Sequence, residues 1–86
     1  MSIDRIEKGM LAKSKAGHDK GKTYIIYEAD ETYVYLVDGM IRKIDNPKRK
    51  KHKHVQLICE TYDVSGIDDV GIKRILKLFD KEMRRI

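Results

Sequence analysis

The stretch Thr23-Tyr24-Ile25-Ile26-Tyr27-Glu28-Ala29-Asp30-Glu31-Thr32-Tyr33-Val34-Tyr35-Leu36-Val37-Asp38-Gly39 decides the fold. β-branched and aromatic residues crowd its two apolar runs, and such residues fit a pleated, half-buried strand. The second run alternates Tyr33 and Tyr35 with Val34 and Leu36, the period-2 pattern of a strand with one face toward a core. Asp30-Glu31 separates the runs, and Asp38-Gly39 is a hairpin-type turn signal. Working outward, strands are predicted over 10–15, 22–29, 32–37, 40–44 and 55–58. Ala16-Gly17-His18-Asp19-Lys20-Gly21 is a turn whose two glycines supply positive φ, and Pro47 interrupts the pattern after the fourth strand.

The chain changes character after residue 60. Ser65-Gly66-Ile67-Asp68 resembles a capping box, and Ile72, Ile75, Leu76, Phe79 and Met83 then recur on one helical face. Acidic Asp68 and Asp69 at the start, and basic Arg84 and Arg85 at the end, suit the helix dipole. The expected architecture is mainly β: a small SH3-like barrel of about five strands, or a strongly bent sheet, with a C-terminal α-helix; an open meander with the helix packed across it is the alternative. Residues 1–8 form a tail, 9–60 the barrel, and 61–86 a linker and the amphipathic helix. The apolar stripe is expected to cover one end of the barrel, with a partner-binding helix as the alternative.

Composition narrows the class. The 86 residues allow one domain, and 38% are charged, with 19 Lys plus Arg against 14 Asp plus Glu. The pI is near 9.4, which favours an anionic partner. One cysteine, Cys59, excludes an internal disulfide and fits a reducing compartment. No apolar run reaches the roughly 18–20 residues of a membrane span, and Met1–Lys8 has no apolar signal region. The expectation is a cytoplasmic protein that engages neither membrane nor small-molecule substrate.

The positive charge is concentrated. Residues 13–22 carry +3 and residues 42–54 carry +6, leaving −4 on the remainder. Pro47-Lys48-Arg49-Lys50-Lys51-His52-Lys53-His54 is the strongest single feature. Its five fixed cations repel one another, and phosphates relieve that repulsion while releasing counterions. Lysines there are expected to position phosphates with little base specificity, whereas Arg42 and Arg49 can make bidentate contacts. A solvated basic loop is the plainer alternative.

Other chemistries fare worse. Residues 16–23 end in Gly-Lys-Thr like a phosphate loop, but Ala16 replaces the first glycine, and strand-forming residues follow where a helix is needed. His52 and His54 flank Lys53, yet neighbouring cations disfavour a metal and no third ligand is evident. Cys59 is expected to pack in the core. Tyr33 and Tyr35 could stack on bases or lie half-buried in the barrel. Carboxylates such as Asp63 and Asp69 have no catalytic partner. No enzyme and no cofactor are expected.

Lys8 to Lys22, with Asp19-Lys20-Gly21-Lys22 closing its turn, resembles a KOW motif. Tyr33 to Lys43, with its Val-Asp-Gly and paired basic residues, and Pro47 to Val55 are similar in order and spacing to the archaeal and eukaryotic large-subunit ribosomal protein fourteen family. The resemblance spans residues 6–58, with Val55 in place of a leucine and His18 where arginine is frequent. It implies an SH3-like barrel that docks on large-subunit ribosomal RNA through two basic loops, beside other ribosomal proteins. The RNA-binding residues it implies are Lys13, Lys15, His18, Lys20, Lys22, Arg42, Lys43, Lys48, Arg49, Lys50, Lys51, His52, Lys53 and His54, with Gly17 and Gly21 shaping the turn. An SH3-like module that binds protein, for example transcription machinery, is the alternative.

Overall fold

A computed structural model of the chain describes residues 6–83, apart from the side chains of Cys59, Glu82 and Met83. The expected roles of Cys59 and Met83 side chains, of Arg84 and Arg85, and of most of the N-terminal tail lie outside the described residues. Five strands, β1 (Met10–Ser14), β2 (Thr23–Ala29), β3 (Tyr33–Val37), β4 (Lys48–Lys51) and β5 (Val55–Thr61), precede one helix, α1 (Asp69–Met83). The strands form one sheet in the order β4-β3-β2-β1-β5, and every neighbouring pair is antiparallel. A single 3₁₀ turn, His52–His54, connects the two edge strands. The result is a curled half-barrel with SH3-like strand order, mainly β as expected. Among the described residues, β4 and β5 share no ladder that would close it.

β2 bends the sheet. It pairs with β1 through its first half and with β3 through its second, and its register against β3 shifts between Ile26 and Glu28. An extra residue at such a bulge increases local twist, which carries one strand from one half of the curl to the other.

Strand alternation sorts the apolar residues into two cores. Met10, Ala12, Tyr24, Ile26, Val34, Leu36 and Val55 fill the concave interior. Leu11, Ile25 and Val37 face the opposite way and pack against Ile72 and Phe79 of α1, together with Val64. The helical stripe therefore buries the outer face of the sheet, not an end of the barrel. Ile72 is fully buried, with Ile75 and Leu76 packed at the margin.

Two sequence expectations are corrected. The segment 40–44 is not a strand. The Asp38 carboxylate accepts the amides of Met40 (2.8 Å) and Arg42 (2.9 Å), and the Asp69 carboxylate accepts that of Ile44 (2.8 Å). Side-chain oxygens have taken the donors that a ladder would use. The strand that returns along β3 is β4, so the basic run is an edge strand followed by a 3₁₀ turn, and not a loop.

The helix cap also differs. The Gly71 amide donates to Asp68 Oδ1 at 2.8 Å, and the Ile72 amide to the Asp68 carbonyl at 3.0 Å. Asp68, not Ser65, is thus the N-cap; the Ser65 amide instead donates to Asp63. Asp68→Ala is expected to cost about 1 kcal/mol of stability in urea denaturation, a typical loss for a capping side chain. Ser65→Ala should cost close to nothing, and equal losses would contradict this assignment.

Candidate nucleic-acid interface

Asp19 sits at the mouth of the concave core, where the interior-facing side chains turn polar. Ser14 Oγ donates to Oδ1 at 2.8 Å and the Tyr24 hydroxyl to Oδ2 at 3.0 Å. Lys48 and Lys50 reach the same carboxylate at 3.4 and 3.5 Å. Lys50 Nζ also donates to the Ala16 carbonyl at 2.9 Å. Lys48 and Lys50 lie opposite Leu36 and Val34 in the ladder, and directly opposed residues share a sheet face. Both are therefore aimed inward, and their ammonium groups meet the turn that folds over the barrel mouth. Burial raises the Asp19 carboxyl, but the two hydroxyl donors and the two lysines outweigh it and hold the group at about 2. Burial, then the Asp19 carboxylate, pushes the Tyr24 hydroxyl well up.

The turn itself is built as the glycine pattern predicts. Gly17 and Gly21 adopt φ of 87° and 89°. The Gly21 amide donates to the Ser14 carbonyl, and the Lys15 amide to the His54 carbonyl, both at 2.8 Å. The first basic turn is thus fastened to β4 by Asp19 and to the 3₁₀ turn by backbone. A second carboxylate, the buried Asp38, adds the 38–43 loop. Its Oδ2 lies 2.7 Å from Lys22 Nζ. Burial raises the Asp38 carboxyl, but Lys22 and the amides of Met40 and Arg42 give it a net downward shift.

Two acids therefore tie three basic segments together. The sequence-derived residues fall into three sets. Lys15, His18, Lys20, Lys43, Arg49, Lys51 and Lys53 are exposed. Lys22, Lys48 and Lys50 are held by carboxylates. Lys13 and Arg42 are half-buried, as are His52 and His54, and the His52 ring lies 3.2 Å from the Tyr33 carbonyl. Arg49 stacks its guanidinium 4.5 Å from the centre of the Tyr33 ring. Tyr33 and Tyr35 are half-buried, and the Tyr35 hydroxyl donates to Asp30 at 3.0 Å.

Lys73, Arg74 and Lys77 of α1 escape a reading of charge runs. With Lys22 they rim a groove between α1 and the 38–41 loop. Their spacing of three and four residues was the available signal, since such positions share a helix face. The pseudo-phosphate-loop residue Thr23 begins a strand, with no helix N-terminus behind it. Among the described residues, no three His, Cys, Asp or Glu side chains converge as a metal site, and no helix is long and apolar enough to cross a membrane. Compared with known proteins, the chain matches no family model and no curated protein.

Proposed function

We propose that the protein binds structured RNA, with large-subunit ribosomal RNA as the target, as an integral or associated component of the ribosome. The observation that carries this reading is the Asp19 clasp, which fastens the turn 15–22 onto β4 and makes two sequence-distant basic segments one surface. Exposed Lys15, Lys20, Arg49, Lys51 and Lys53 then offer charge to phosphates at fixed spacing, and Arg49 on Tyr33 adds a flat cationic platform. Folded RNA is recognised largely by shape and by phosphate contacts, which a rigid basic face suits. The resemblance to KOW-containing ribosomal proteins supports the same reading.

Lys48 and Lys50 are poor choices for a test, because they hold the turn. The variant Arg49→Glu/Lys51→Glu/Lys53→Glu reverses only outward charges. It is expected to keep its unfolding midpoint and to lose at least about tenfold in affinity for ribosomal RNA by gel shift. The slope of log K against log salt should become shallower by roughly 2–3, as phosphate contacts each contribute about 0.7–0.9. Co-sedimentation with large ribosomal subunits across a salt series identifies the target. Unchanged affinity in the triple variant, or absence from ribosomal fractions at low salt, would refute the respective parts of the proposal.

A further inference from the structure

The groove beside α1 meets the turn that Asp19 fastens at Lys22. It encloses about 640 Å³. Met40 and Val70, which are 59% and 60% exposed, line it together with Leu76. Lys73, Arg74 and Lys77 stand along it, and none has a carboxylate within ion-pair distance among the described residues. The single acid lining it, Asp38, is buried and already paired with Lys22. Aliphatic side chains held open to water beside unneutralised cations are complementary to one kind of ligand: an anionic chain that also carries aliphatic groups. Among the described residues no aromatic ring lines the groove, so a nucleobase would lack the stacking surface on which single-stranded recognition relies. A peptide supplies both requirements, with Asp or Glu for the cations and Leu, Ile or Met for the floor.

We propose that this groove docks an acidic protein segment bearing bulky aliphatic side chains. The inference does not depend on RNA binding: of the groove's residues only Lys22 belongs to the implied RNA-binding set, and Asp38 already pairs it. Val70 is the contact to change. It is exposed and lies in the first turn of α1, where an added carboxylate suits the helix dipole, so Val70→Asp should fold.

The test uses the full chain and a fluorescein-labelled synthetic peptide of Glu with Leu residues one helical turn apart. Anisotropy gives affinity, and amide chemical shifts give location. The expected result is binding with Kd below about 1 mM and shifts centred on Met40, Val70, Lys73 and Lys77. Val70→Asp should weaken it by about tenfold, equivalent to 1.4 kcal/mol, while RNA binding in the gel shift stays unchanged. Polyglutamate binding as tightly as the Leu-containing peptide would overturn the proposal, since charge alone would then suffice. Absence of binding, shifts centred on the turn 15–22 and β4, or an unaltered Val70→Asp variant would also overturn it. If an RNA oligonucleotide moves the groove amides and Val70→Asp weakens RNA instead, the groove belongs to the nucleic-acid face and the proposal fails. The triple variant at Arg49, Lys51 and Lys53 tests RNA binding separately.

Discussion

Asp19→Ala is expected to lower the unfolding free energy by about 3 kcal/mol, near the lower end of the range for removing one partner of a buried ion pair. The Asp19 and Lys50 side chains are each 11% exposed, so water screens that pair only weakly; Lys48, at 29%, keeps more access to water. Without the carboxylate, the Tyr24 hydroxyl and Ser14 lose their shared acceptor. Among the described residues, Lys50 then keeps only the Ala16 carbonyl. Most of the loss comes from the stranded charge, so adding Lys50→Met to Asp19→Ala should recover part of it. Urea denaturation of both variants provides the measurement. A loss under about 1 kcal/mol would place the clasp among ordinary surface pairs.

Acid titration gives an independent reading of the same group. The Asp19 carboxyl lies at about 2 in the folded protein, below its ordinary value of 3.8. A depressed folded-state value means that the stabilisation is fully present above the ordinary value and disappears as pH falls through the folded one. Wild-type protein should therefore lose about 2 kcal/mol from this group between roughly pH 4 and pH 2. Asp38, Asp30 and Asp63 are also shifted down and steepen the same limb. The stability difference between wild type and Asp19→Ala should shrink across that window, and a constant difference would show that Asp19 does not titrate as described.

What could be read from the sequence depended on how far apart the deciding partners lie. The β2 and β3 runs and the α1 stripe carry local periodicity, and their positions follow from it within a residue or two. β4 does not. Lys-Arg-Lys-Lys has no apolar alternation, and it becomes a strand because β3 offers an unpaired edge. Edge strands are often lysine-rich, which discourages pairing with other chains. Asp38-Gly39 has the composition of a tight hairpin, yet the Asp38 side chain turns the next residues into a loop. Asp19 reads locally as a stray acid in a basic turn. Its partners Lys48 and Lys50 lie about thirty residues away, and only the curl of the sheet brings them together. For the same reason, charge runs located the basic segments but could not separate the outward Arg49 and Lys51 from the inward Lys48 and Lys50.

Gly39→Ala should be the second severe lesion, and Gly21→Ala is its control. Both glycines have left-handed φ, 77° at Gly39 and 89° at Gly21, so alanine at either site incurs a backbone cost of about 1–2 kcal/mol. Their surroundings differ. A Cβ at Gly21 would meet nothing within 4 Å, whereas one at Gly39 would run into the Asp69 carbonyl oxygen and lie 2.9 Å from the Lys73 amide nitrogen. Those atoms are helix backbone and cannot rotate away. α1 is held in place by buried Ile72, and the loop is tied to it through the Ile44 amide and the Asp69 carboxylate. The added methyl must therefore lift the loop from the helix or shift the helix from the sheet. Gly39→Ala is expected to lose at least about 3 kcal/mol, within the range for overpacking added to strain, and Gly21→Ala about 1 kcal/mol. Because Met40 follows Gly39 and forms one wall of the groove, the lesion should also broaden the amide signals of Met40 and Val70 in the folded population. Equal losses at the two glycines would mean that the 38–44 loop yields freely, and the first turn of α1 would then not be what fixes its conformation.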